Sequence, residues 1–67
     1  MLNIQIKRLR TERNLTQRQV ANRLNVGEHL VSRWERGVRR PSLDHLVGLA
    51  GILDVSVSEI LGDVSNV

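Results

Sequence analysis

This sequence predicts an all-α fold, a bundle of five short helices. Three observations point there. Apolar residues recur three and four positions apart along almost the whole chain. Capping and turn signals cut that pattern into five segments. No stretch alternates apolar and polar residues with period two, so no sheet is expected.

The first segment covers about residues 2–13. Leu2, Ile6 and Leu9 share one stripe, while Lys7, Arg8 and Arg13 point elsewhere. "RNLT" interrupts the pattern, with Leu15 expected to plug the core. Thr16 and Gln19 have capping-box spacing, so the second helix should start at Gln17. Val20, Ala21 and Leu24 form its inner face, and Asn25 suits a left-handed terminator.

The third segment runs from about 28 to 36. Leu30, Val31 and Trp34 make its buried stripe; Glu28, His29, Ser32, Arg33 and Arg36 occupy the opposite arc. Gly37 stops it. Pro41 disfavours helix at Arg40, and Ser42 is a good N-cap for the fourth helix. Leu43, Leu46, Val47, Ala50 and Leu53 are expected on that helix's inner face. Gly48 and Gly51 weaken it, and close helix approach is the expected reason. Asp54 and Val55 turn the chain. Ser56 and Glu59 form a second capping box, Val57, Ile60 and Leu61 complete the core, and Gly62 ends the last helix. Residues 63–67 are expected to fray.

The length allows a single domain over residues 1–67. Hydrophobic residues make up 40%, enough for a folded domain. Without cysteine there is no disulfide or thiolate metal site, which fits a reducing cytoplasm. The apolar runs are too short to span a bilayer, and "MLNIQIKRLR" lacks the apolar stretch of a signal peptide. Ten Lys and Arg against seven Asp and Glu give a net charge of +3, which favours an anionic partner. Lys7 is the lone lysine, and the arginine fork suits phosphates and guanine edges. No nucleophile–base pair, phosphate-cradling glycine loop or paired carboxylates suggest an enzyme. His29 has no acidic or histidine partner three or four residues away, which reads against a metal site.

The second and third helices are joined by "NVG" alone. That link is too short for antiparallel packing, so they must cross steeply as a helix-turn-helix unit, about residues 17–36. Small Ala21 sits where the two helices approach most closely, and Val26 plugs the turn.

"LTQRQVANRLNV", "VSRWERGVRRPSLDHLVGLA" and "LDVSVSEIL" resemble, in order and spacing, the lambdoid phage repressor and Cro group, also called the xenobiotic-response-element-like family. The resemblance covers nearly the whole chain. It implies a five-helix bundle that binds double-stranded DNA, commonly as a homodimer on a palindromic operator, with no enzymatic activity and no cofactor. It further implies a transcriptional regulator, a repressor, of bacterial or phage origin in the cytoplasm. By the same resemblance Glu28, His29, Ser32 and Arg33 face bases. Gln17, Arg36, Arg39 and Arg40 contact phosphates, and Arg10 and Glu35 form a structural ion pair. Dimerisation is expected at the end formed by helices four and five, with Val57 and residues 63–67. Three departures stand out: Asn25 stands where glycine is common, Gly27 replaces the usual Ser or Thr cap of the reading helix, and Glu28 stands where Gln or Ser is common.

Plainer readings stay open beside these. Trp34 is core, and His29 is an ordinary solvated residue or a base contact. Ser32 reads a base or merely avoids a clash, and Gln17 is a phosphate ligand or only a good first helical residue. His45 is expected at the surface. The alternative function is a protein-interaction module, antitoxin-like or an adaptor, working through helix five or the residues after it.

Overall fold

The computed structural model describes residues 1–62. Five α-helices follow one another: α1 (Leu2–Glu12), α2 (Gln17–Leu24), α3 (Glu28–Arg36), α4 (Leu43–Leu53) and α5 (Val57–Leu61). No strand occurs among the described residues. The expected fraying and dimer contacts of residues 63–67 lie outside them.

Local chemistry sets the helix ends. Thr16 accepts from the Gln19 backbone N–H while Gln19 accepts from the Thr16 N–H, the reciprocal box that starts α2. Ser56 and Glu59 repeat it at α5. Ser42 caps α4 by accepting from the His45 N–H. Left-handed residues close α2 at Asn25 (φ 59°), α3 at Gly37 (φ 76°) and α4 at Asp54 (φ 58°). Asn14 (φ 56°) turns the chain after α1, and the Leu15 N–H bonds back to the Arg10 carbonyl.

The core is one cluster: Ile6, Leu9, Val20, Ala21, Val31, Trp34, Leu49, Ala50, Leu53 and Ile60. Leu15, Leu24, Val26 and Leu30 are only partly buried against it. Packing of α1 on α3 and α5, and of α4 on α2 and α5, encloses that cluster. The pair α2 and α3 is thereby fixed from both sides.

Four expectations are corrected. Leu43 and Val47 do not face the core; they are 70% and 56% exposed, while Leu49 is fully buried. The buried stripe of α4 is Leu49, Ala50 and Leu53 with Leu46 at its margin, and Val47 lies roughly a third of a turn from its centre. Apolar spacing alone admitted a stripe rotated toward 43 and 47. His45 is not a plain surface residue. It is half-buried, and its ring packs on Trp34 with centroids 5.1 Å apart. As the third residue of α4 it leans back toward the cap, placing Nδ1 3.1 Å from Ser42 Oγ.

Arg13 also does not point away. It is half-buried; its Nε donates to the Leu53 carbonyl and its Nη1 to the Leu9 carbonyl at 3.0 Å, tying the ends of α1 and α4. Close approach holds at only one of the two α4 glycines. A Cβ on Gly48 would fall 2.5 Å from Leu24 Cδ2, whereas one on Gly51 would meet nothing within 4 Å.

Candidate nucleic-acid interface

α3 has two faces of opposite character. Val31, Trp34 and Glu35 are buried, and Leu30 is half-buried on the same side. Glu28, His29, Arg33 and Arg36 are exposed, while Ser32 is half-buried between the two sides. Residues 31 and 34 anchor the helix, because a three-residue spacing keeps both on one face. The outer face is free to meet a partner.

The inner face carries one buried charge, and three donors satisfy it. Glu35 Oε2 accepts from Arg10 Nε at 2.6 Å; Oε1 accepts from Arg10 Nη2 at 2.9 Å and from Gln17 Nε2 at 3.1 Å. Arg10 Nη1 donates to the Leu15 carbonyl at 2.7 Å. The side chains of Arg10 and Glu35 are 11% and 2% exposed. Hydrogen bonding to Glu35 pushes the Arg10 guanidinium pKa above its ordinary value; burial opposes the shift and the Glu35 charge adds to it. The fork-to-carboxylate pairing makes this a strong, directional contact. It joins α1, the start of α2 and the last turn of α3, and so holds the crossing of α2 and α3.

Gln17 therefore stands in this network as well as at the first position of α2. Its amide nitrogen carries two hydrogens, and Glu35 uses one. Sequence reasoning placed Gln17 toward a phosphate and missed its bond to Glu35. Such a bond between distant positions leaves no local signal.

After α3 the chain turns sharply. Gly37 is left-handed, and the N–H groups of Val38 and Arg39 both return to the Arg33 carbonyl at 3.1 and 3.3 Å. Arg39 and Arg40 then flank a shallow hollow of about 170 Å³ with Leu30, Trp34, Ser42 and His45. Both arginines are exposed. Among the described residues the ion pairs are Arg8–Glu12, Arg13–Glu12 and Arg10–Glu35. Arg33, Arg36, Arg39 and Arg40 take part in none of them. The outer face of α3 and the following loop thus gather four arginines with Glu28 the one exposed acid on that helix.

Among the described residues no group of three His, Cys, Asp or Glu side chains is placed to hold a metal, and no helix is long and apolar enough to cross a membrane. The start of α3 has no side-chain cap: Gly27 holds that position in extended conformation (φ −76°, ψ 148°).

Two helices in contact across a three-residue turn, locked from behind and presenting a polar, arginine-rich face, define a helix-turn-helix domain. The helix-turn-helix family profile matches residues 6–60, and the chain belongs to that family. It is 35% identical over 63 residues to the cryptic phage CTXphi transcriptional repressor RstR of Vibrio cholerae, covering 94% of this chain and 57% of RstR. It is 41% identical over 58 residues to the immunity repressor protein of Bacillus phage phi105, covering 87% of this chain and 40% of that protein. The HTH-type transcriptional activator BcrR of Enterococcus faecalis is 36% identical over 59 residues, 88% of this chain and 29% of BcrR. The chain thus spans less than two thirds of the length of these relatives. Its fold matches the crystal structure of the biofilm master regulator SinR in complex with DNA, with a TM-score of 0.84 and 31% identity over 91% of this chain and 98% of that one.

Proposed function

We propose that this chain is the DNA-binding module of a transcriptional regulator, a repressor, that reads double-stranded DNA by laying α3 in the major groove. The observation that carries this is the split of α3: Val31 and Trp34 buried, Glu28, His29, Arg33 and Arg36 exposed beside two further unpaired arginines. A helix of nine residues is about 13 Å long, comparable to the groove's width of about 12 Å. The likeness to a structure solved with DNA, and to phage repressors, supports the same reading.

In this proposal Glu28, His29, Ser32 and Arg33 face base edges at the N-terminal end of α3 and along it. Arg33 grips guanine O6 and N7 with its fork. Gln17, through the amide hydrogen that Glu35 leaves free, and Arg36, Arg39 and Arg40 hold phosphates. The protein acts as a homodimer on a palindromic operator, by binding alone, in the cytoplasm of a bacterium or as a phage product.

Selection of binding sites from random duplexes tests this. The expected result is a palindrome with half-sites about one helical turn apart, or a multiple of it. Arg33→Ala is expected to relax one base preference per half-site, at a cost of about 1–3 kcal/mol. A chain that enriches no sequence overturns the proposal.

A further inference from the structure

Gly27 is where this chain departs from a self-capping helix start, and the space it leaves is filled by one side chain. A Cβ built on Gly27 would fall 2.5 Å from His29 Cε1 and 2.8 Å from His29 Nδ1, and its three nearest atoms all belong to that ring. Side chains on a helix lean toward its N-terminus. His29 is the second residue of α3, so no earlier turn lies beneath it, and its ring reaches the capping residue itself. Any side chain at 27 occupies the same place.

We propose that Gly27 is a positioning residue for base reading: by lacking a side chain it lets the His29 imidazole fold back over the start of α3, and so sets which base edge the ring addresses. This rests on the reading of α3 as the helix that enters the groove. The N-terminal end of such a helix is the end that contacts base edges, so the placement of His29 matters more there than on any other exposed turn. The backbone at 27 does not itself need glycine. Its angles (φ −76°, ψ 148°) suit any residue, and serine would add the capping hydroxyl that α3 lacks. Stability therefore argues for serine, and the ring's placement is what glycine provides in exchange.

Gly27→Ser is the test, because the backbone angles at 27 suit serine and the variant is expected to keep the fold, checked by a thermal midpoint no lower than the parent's. In the free protein, a nuclear Overhauser contact between the His29 ring Hε1 and the Gly27 α-protons is expected. Binding-site selection with Gly27→Ser is expected to lower discrimination at one base pair per half-site by about fivefold or more, with the other positions unchanged. In a His29→Ala background the same substitution is expected to change no preference. A missing ring contact in the free protein overturns the inference, whatever the DNA result. So does an unchanged base preference in a Gly27→Ser variant whose parent selects a palindrome. A parent that selects no sequence removes the reading of α3 and this inference with it.

Discussion

At the scale of single residues, Glu35 does two jobs from one buried position. It neutralises Arg10 and orients the Gln17 amide at the head of α2. Removing one partner of a buried pair leaves the other charged and unsatisfied, which costs about 3–5 kcal/mol. Small domains hold about 5–15 kcal/mol in all, so Glu35→Ala is expected to bring this one close to unfolding at room temperature, read by urea titration. Replacing both charges with apolar groups of similar size is expected to recover most of that loss, because no ion is then stranded. The pair Arg10→Met with Glu35→Leu should therefore fold nearly as well as the parent. It should still bind DNA more weakly, since Gln17 has lost the acceptor that holds its amide. Equal unfolding midpoints for Glu35→Ala and the parent would show that the carboxylate is not the lock described. The Arg10–Glu35 contact was legible only through family resemblance; the Gln17 bond was not legible at all, because an interaction across 18 positions has no periodic signature.

At the scale of elements, α4 carries two glycines with opposite surroundings. Glycine inside a helix costs about 0.5–1 kcal/mol relative to alanine. Nothing lies within 4 Å of a Cβ on Gly51, so Gly51→Ala is expected to gain that full amount, seen as a raised thermal midpoint. A Cβ on Gly48 meets Leu24 Cδ2 at 2.5 Å, so the end of that side chain must move. Gly48→Ala is therefore expected to gain less than Gly51→Ala, or to lose. A larger gain at 48 would contradict the packing of α2 against α4. The boundaries of α2, α4 and α5 were legible because capping boxes and Ser42 are written in residues three apart. The inward face of α4 was less so. Periodicity gives a stripe, but which edge of it is buried depends on where α2 and α5 lie, and so Leu49 was missed while Leu43 and Val47 were placed inside. His45 was misplaced for a related reason: its ring folds toward Trp34 on another helix, a contact that spacing along α4 cannot report.

At the scale of the whole molecule, every ion pair among the described residues involves α1 or the residue that follows it. Glu12 of α1 is bound by Arg8 and Arg13, and Glu35 is taken up by Arg10, so these anions are spent on two arginines of α1 and on Arg13 just after it. Arg33, Arg36, Arg39 and Arg40 enter no ion pair among the described residues, and all four are exposed on α3 and the loop after it. Such a face releases counterions when it binds a duplex, and each phosphate neutralised adds about −0.9 to the slope of log affinity against log salt. If Arg36, Arg39 and Arg40 each hold one phosphate, replacing all three with alanine is expected to flatten that slope by about 2.7 per protomer. Phosphate contacts fix position without reporting sequence, so the ranking of operators should stay as in the parent while every affinity falls. Arg33→Ala should do the reverse in emphasis, disturbing the ranking at one base pair per half-site. Titrations of parent, triple variant and Arg33→Ala across a salt series separate the two effects. A triple variant whose slope matches the parent would mean that these arginines stand clear of the backbone, leaving α3 to bind with Gln17 and the helix starts alone.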